Sequence, residues 1–532
     1  MNQLKPRIFL FFFMVCAVYA TAQKHNSVPL DHPAYDVIEM GVMWGVITPP
    51  SSSKPWSFAA VQEKLREMID NQTGVFTSIE IETLVRVLDS LDRRGYGFGW
   101  ESNFSTQAVG DSPVSVNLAR MYAEGDVKDI VSWNLTALGQ IMHRERGELS
   151  GTAYSAAGAS FFPNTTSKMW DGGAFSFCNS NTYLGLEGEL NIFVDDSMQL
   201  RIGRIRRDLG PETDGSSLFI NTRARPFCAF EWMVSPSSWL DYYILVGALE
   251  YNRENEQWRD DGPFRNLLSV LWIEVNPLKY LHVGVGGSAL LDHASNLAFF
   301  TNLDFRLPGI LKLWGSLFVD NLDSVSENFF LNNSTIYAIQ GGVKAIIRWL
   351  PFGAFTLRYT KVEPYCYTDS YAGNAGIGSP SLCSLINDGD SLGFYLPPNS
   401  DELLLRVESG LSSRLKAHIQ FQMMRHGADY GYGAVGGSSL RDKYDNVIQY
   451  KYFLMDGVYR WDNVIKLGCI WKAHIGNMPV SVNAETGFVS RRFTINGKAG
   501  VGNEAEYESL DDSVYRAGKG LIFSIGFRLY PL

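Results

Sequence analysis

The sequence predicts an all-β transmembrane β-barrel of about 18 antiparallel strands, preceded by a small N-terminal α-helical domain. Three observations lead there. From about residue 100 the apolar residues recur every second position. The face opposite them is ionised as often as it is merely polar. Beyond the first 22 residues, no apolar run is long enough to cross a bilayer as a helix. The composition agrees. In 532 residues, hydrophobic side chains make up 45%, aromatics 13% and charged residues 19%, with 50 Gly. Mean hydropathy is −0.07. Chains that stay disordered are poor in aromatics and rich in charge, so that class is excluded. The formal net charge is −10. No basic field exists to collect phosphates, which argues against a nucleic-acid binder.

Residues 1–22 read as a secretory signal. Lys5 and Arg7 form the positive region, Ile8 to Val18 the apolar run, and Ala20-Thr21-Ala22 the small-residue cleavage site. Cleavage near Ala22 predicts export to the cell outer membrane. Residues 23–100 form a periplasmic helical head. Asp31 with Pro33 reads as the cap and early proline of a first helix through Tyr35, Ile38 and Met43, stopped at Gly45. Ser57 caps a second, whose apolar stripe is Phe58, Val61, Leu65, Met68 and Ile69. Thr77 with Glu80 is a capping box before a third, with Ile81, Leu84, Val85, Leu88 and Leu91 on one side.

Residues 101–532 read as the barrel. In Thr182 to Arg204, the residues Leu184, Leu186, Leu190, Ile192 and Val194 share a face. Asp195-Asp196-Ser197 turns the chain, and Met198, Leu200 and Ile202 resume that face. Glu187, Glu189, Arg201 and Arg204 are assigned to the polar side. The terminal strand alternates Leu521, Phe523, Ile525, Phe527 and Leu529 with smaller or polar residues. Further strands are expected in Trp133–Ile141, Trp239–Leu249, Leu267–Val275, Leu311–Val319, Ile336–Trp349, Phe355–Lys361, Leu403–Glu408, Lys416–Met424, Asn463–Trp471 and Val480–Val489. Such a face can turn to lipid because a closed sheet leaves no edge unpaired.

Several stretches resemble, in order, the Wzi family of outer-membrane capsule-assembly proteins. They are Val28-Pro29-Leu30-Asp31-His32-Pro33-Ala34-Tyr35; Arg201-Ile202-Gly203-Arg204 with Gly210-Pro211; Ser216 to Phe227; Leu317-Phe318-Val319-Asp320-Asn321-Leu322; Glu363 to Thr368; and Pro398 to Leu403. Where the family has a tryptophan and a second glycine, this chain has Arg206-Arg207-Asp208-Leu209. The resemblance implies a monomeric barrel closed on its periplasmic side by helices. It also implies a lectin-like, non-enzymatic role at the cell surface, with surface polysaccharide and outer-membrane lipid as partners.

No catalytic motif stands out, and no cofactor or metal is implied. Gly284-Val285-Gly286-Gly287 lies in a strand pattern without a following helix, so it reads as sheet glycine. His282, His293, His418 and His426 read as structural, and Asp388-Gly389-Asp390 as a polar turn. Cys366 and Cys383 flank one loop and form a candidate disulfide. Saccharides are held by polar hydrogen bonds and ring stacking. The glycan-binding candidates are Arg204, Arg206, Arg207, Asn221, Arg223 and Arg225, whose guanidinium forks suit an acidic glycan. The competing reading pairs such arginines with lumen glutamates for rigidity. Alternatives at the level of function are a porin-like channel for small solutes and a surface adhesin.

Overall fold

A computed structural model describes residues 24–71, 74–92, 95–106, 114–127, 130–144, 180–195, 197–222, 224, 226–249, 266–291, 295–321, 336–367, 385–387, 390–428, 453, 457–475, 478–496 and 517–529. Its frame is a closed, wholly antiparallel barrel of 18 strands. They are β1 (Tyr96–Thr106), β2 (Val114–Val127), β3 (Val131–Arg144), β4 (Ser180–Asp195), β5 (Met198–Ile205) and β6 (Phe227–Ser237). Next come β7 (Leu240–Leu249), β8 (Asn266–Leu278), β9 (Leu281–Leu291), β10 (Ser295–Leu307), β11 (Leu311–Asn321) and β12 (Ile336–Ile346). The last six are β13 (Ala354–Val362), β14 (Ser400–Ser412), β15 (Leu415–Ala428), β16 (Gly457–Ile475), β17 (Met478–Asn496) and β18 (Gly518–Leu529). Each strand pairs with its sequence neighbours. β18 closes on β1, with Trp100 opposite Leu529 and Phe104 opposite Ile525. The barrel thus opens at Tyr96, slightly before the boundary expected at residue 101.

The two faces divide as the alternation predicts. On β18, Leu521 is 76% exposed while Ser524 is 7% exposed. Val285, Leu303, Ile419, Ile465 and Leu467 are exposed on the outside, whereas Glu231, Glu274, Asp304, Arg358 and Lys466 are buried on the inside. An apolar exterior around a charged interior is the arrangement lipid demands of a sheet. One register assignment needs correcting. Arg204 lies three residues from Arg201, so period 2 puts it on the opposite face. It is level with Gly188 and Cys228 rather than with the inward Glu189. The glycines of β9 are structural: Gly284 leaves the space that the buried Trp272 ring occupies. Trp272 stacks on Phe300 with centroids 4.8 Å apart.

The barrel ends differ. At one end the links are tight, as at 279–280 and 413–414; at the other they include 145–179, 206–226 and 363–399. The helical head sits at the tight end. It comprises α1 (Ala34–Trp44), α2 (Phe58–Asp70) and α3 (Ser78–Asp89). Ile38, Phe58, Val61, Leu65, Met68 and Leu84 form its core. Gly45 ends α1 at φ 74°, a left-handed conformation that a side chain would oppose. Ser57 Oγ accepts the Ala60 amide at 3.2 Å, and Thr77 and Glu80 form the full capping box. Two helix assignments change. Asp31 does not cap α1: Pro33 occupies that position, and the Asp31 carboxylate pairs with Arg528 at 2.7 Å. On α3, Glu80, Leu84 and Val87 are buried, with Leu91 just beyond; Ile81 and Leu88 pack half-buried on the same core, and of the expected stripe only Val85 is exposed.

The head is stapled to the tight end. The Gly309 amide donates to Met43 O at 2.9 Å and the Phe352 amide to Glu80 Oε1 at 2.7 Å. Val285 faces outward midway along β9, so Val285→Arg should cost about 2–4 kcal/mol of folding free energy in a bilayer. Urea unfolding from phospholipid vesicles measures this; no loss of stability would mean that the wall does not face lipid.

Candidate functional site

The lumen is the chemically loaded part of the molecule, and segments enter it from both ends. From the tight end comes the chain on either side of α1. The Lys24 amide donates to Asp126 at 2.8 Å. The Ser27 amide and hydroxyl donate to Glu189 at 2.7 and 2.6 Å. The Ser52 amide donates to Glu274 at 2.8 Å. From the far end comes the β5–β6 link. Its Asp208 and Leu209 form a two-residue ladder with Lys54 and Ser53. Lys54 Nζ pairs with Asp208 at 3.1 Å and donates to the carbonyls of Gly210 and Glu212, both at 2.9 Å. The β13–β14 link packs against this one. Tyr367 OH donates to Leu218 O at 2.9 Å, and the Asn221 amide to Leu392 O at 3.0 Å.

Two ionic knots fix these segments to the wall. In the first, Lys312 of β11 contacts Glu39 at 3.0 Å and Glu212 at 2.5 Å, and Lys344 of β12 contacts Glu39 at 2.7 Å. Burial pushes Glu39 up, but Lys312 and Lys344 overrule it and hold the carboxyl down at about 2. Glu212 shares those lysines unequally. Burial and the charge of Glu39 push it up to about 7. In the second knot, Arg201 lies 3.4 Å from Glu189 and 3.2 Å from Glu231, and Arg207 lies 2.7 Å from Glu231. At the head, burial pushes Asp31 up, but Arg528 and Arg120 hold it well below the usual carboxylate range.

The sequence candidates separate on this background. Arg207 is buried and spends its donors within the fold, on Glu231 and the carbonyls of Ile205, Phe227 and Gly203. Asn221 donates its amide side chain to Gly393 O, which locks the two inward links together. Arg204 donates to Leu186 O at 3.3 Å from the outward face. Arg206 donates to Thr222 O at 3.3 Å and borders a cavity of about 430 Å³. That cavity also meets Asp36, Asp214, Tyr395 and Arg406. Arg223 and Arg225 lie outside the described residues. So do Cys383, the proposed partner of the buried Cys366, and His293, Asp388, Gly389 and the signal segment. His282 and His418 are buried beside Glu274 and Glu485, at 3.8 and 3.6 Å.

Glu39, Lys312, Lys344, Arg358 and Glu408 were not among the sequence candidates. The strands carrying them were recognisable, and Lys312 between Leu311 and Leu313 was a charge in an inward slot. What the sequence does not carry is which distant segment supplies the counter-charge.

The fold matches that of Wzi of Escherichia coli, an outer-membrane protein involved in group 1 capsule assembly and described as a carbohydrate-binding β-barrel. The TM-score is 0.56 at 13% identity, covering 96% of this chain and 99% of that one. OccAB1 of Acinetobacter baumannii (TM-score 0.45, 11% identity, 82% and 95% covered) and the outer-membrane protein OpdK of Pseudomonas aeruginosa (0.43, 11%, 81% and 98%) match too loosely to bear on the reading. No protein-family model matches the sequence, and no curated protein does.

Lys312→Met should destabilise the protein by about 3–5 kcal/mol, because it leaves the buried Glu212 without its ion-pair partner and takes one of two cations each from Glu39, which keeps Lys344, and Asp304, which keeps Arg306. Thermal unfolding in detergent reads this as a lowered Tm. The folded chain holds a proton on Glu212 between the ordinary value of 4.5 and about 7 that the unfolded chain has released. That contribution is therefore full at low pH and is lost as pH rises from 4.5 to 7. Glu212→Gln should flatten the Tm-against-pH curve across that window; an unchanged slope would refute the assignment.

Proposed function

We propose that this chain is an outer-membrane barrel that binds cell-surface polysaccharide and is neither an enzyme nor an open channel. The carrying observation is the buried meeting of Lys54, from the head side, with Asp208, from the far-side link, inside the lumen. A diffusion pore needs a continuous aqueous path, and here two covalently tethered segments cross it, each bonded to the wall. The likeness in fold to a carbohydrate-binding barrel supports a glycan as ligand, as does the motif resemblance in the sequence.

In this reading, Arg206 is the glycan-contacting member of the arginine stretch, because it borders the cavity. Arg207 and Asn221 hold the shape of the link that presents it. Arg204, Arg223 and Arg225 are proposed as further glycan contacts on the sequence argument alone. The porin reading requires the segments around Lys54 and Asp208 to leave the lumen together, breaking both ionic knots.

Two measurements separate these readings. In planar bilayers, the proposed function gives no steady conductance from the wild-type protein, and Lys54→Met with Asp208→Asn raises channel activity. On cells, deletion of the gene sheds surface polysaccharide into the medium, and Arg206→Ala weakens binding of the purified glycan about tenfold. Large, steady wild-type conductance together with unchanged surface glycan would overturn the proposal.

A further inference from the structure

The outer wall of the barrel is apolar through most of its height, but at the long-link end three of four consecutive strands carry cations that point away from the lumen. On β15, Arg425 stands level with Trp461 of β16, which stands level with Arg492 of β17. The Arg425 and Arg492 guanidinium groups both lie over the Trp461 ring, 4.9 and 4.5 Å from its centroid. The indole N–H donates to Thr494 Oγ1 at 2.8 Å, which fixes the ring. On β18, Lys519 is paired with Ser490, the next outward residue below Arg492 on β17. Arg492 and Lys519 are thus diagonal neighbours on one face.

Their partners differ in a way that matters. Arg425 is answered by Asp401, with Nε 2.7 Å from Oδ1. Arg492 and Lys519 are both exposed, and neither has a carboxylate partner among the described residues. Immediately towards the barrel waist, the same outward face becomes greasy: Phe488 on β17, Ile465 on β16 and Leu521 on β18 are all exposed. Two unanswered cations and an anchored indole therefore sit directly above an apolar wall. Tryptophan favours the boundary between hydrocarbon and headgroups, and guanidinium favours phosphate oxygens through paired N–H bonds.

We infer that Arg492 and Lys519, with Trp461 as platform, form a binding site for the phosphate headgroup of an anionic membrane lipid whose acyl chains lie along Phe488, Ile465 and Leu521. The inference rests on the barrel wall facing lipid and not on what the lumen binds. An amphiphile is favoured over a free phosphate because the apolar strip continues straight from the cations and has no other covering among the described residues.

The test uses the full-length protein reconstituted in phosphatidylcholine vesicles doped with either phosphatidic acid or diacylglycerol. Native mass spectrometry after detergent exchange counts the lipid retained. The wild type should retain phosphatidic acid and not diacylglycerol. The double substitution Arg492→Ala with Lys519→Ala should weaken that retention about 30-fold, as expected for two basic contacts at a membrane surface. Lys361→Ala, a cation on the same rim already paired with Glu363 at 3.2 Å, should leave it unchanged. Heat-modifiable migration on a gel confirms that each variant is folded. Equal retention by the double variant, or of diacylglycerol by the wild type, would overturn the inference. Displacement of the lipid by inorganic phosphate would replace it with a free-anion site.

Discussion

Lys312 and Lys344 meet the same carboxylate, Glu39, across sequence separations of 273 and 305 residues. This contact shows the constraint under which the whole interior is built. A barrel wall that gives its apolar side chains to lipid must give its polar ones to the lumen. A narrow lumen filled by protein leaves those charges little water. Each buried ion then needs an opposite charge or well-placed hydrogen-bond donors, since an unpaired one costs several kcal/mol. The head and the inward links supply those partners: Glu39 and Glu212 for the lysines of β11 and β12, Asp214 for Arg358, Ser27 and Ser52 for Glu189 and Glu274. The filling of the lumen is therefore what allows the wall to be so heavily charged, and it also sets how firmly the far ends of the chain are held together.

Much of the frame was legible from period alone. The hairpin of β4 and β5 turns between Asp195 and Met198, where the turn was expected, and β18 runs through the expected alternation. Helix caps at Ser57 and Thr77 were readable because a cap is a local event, completed within three residues. The errors are local too: on α3 only Val85 of the expected stripe turns outward, and Arg204 belongs to the face opposite Arg201 because three residues separate them. β9 was legible only through its sheet glycines, Gly284 to Gly287, and β1, β2, β6 and β10 did not stand out, since glycine and polar residues on the lumen side blur their alternation.

The site was less legible. The arginine-rich stretch from Arg201 was conspicuous, and the reading of such arginines as struts to lumen glutamates describes Arg201 and Arg207 well. Ion-pair partners across hundreds of residues leave no spacing in the chain. Only closure of the barrel brings them within reach, and Arg358 meeting Asp214 is an example. Ligand recognition lies at one remove further, because the groups that shape a loop and those that touch a ligand are drawn from the same residue types.

Arg528 stands near the end of β18 and reaches Asp31 of the head at 2.7 Å and Glu101 of β1 at 3.4 Å. The first and last strands are zipped at this seam, and the same guanidinium clasps the N-terminal segment to it. During biogenesis the head is synthesised before any strand, yet its berth is complete only when the final strand arrives. Seam closure and stopper seating are thereby one event, and an unfinished cylinder has neither.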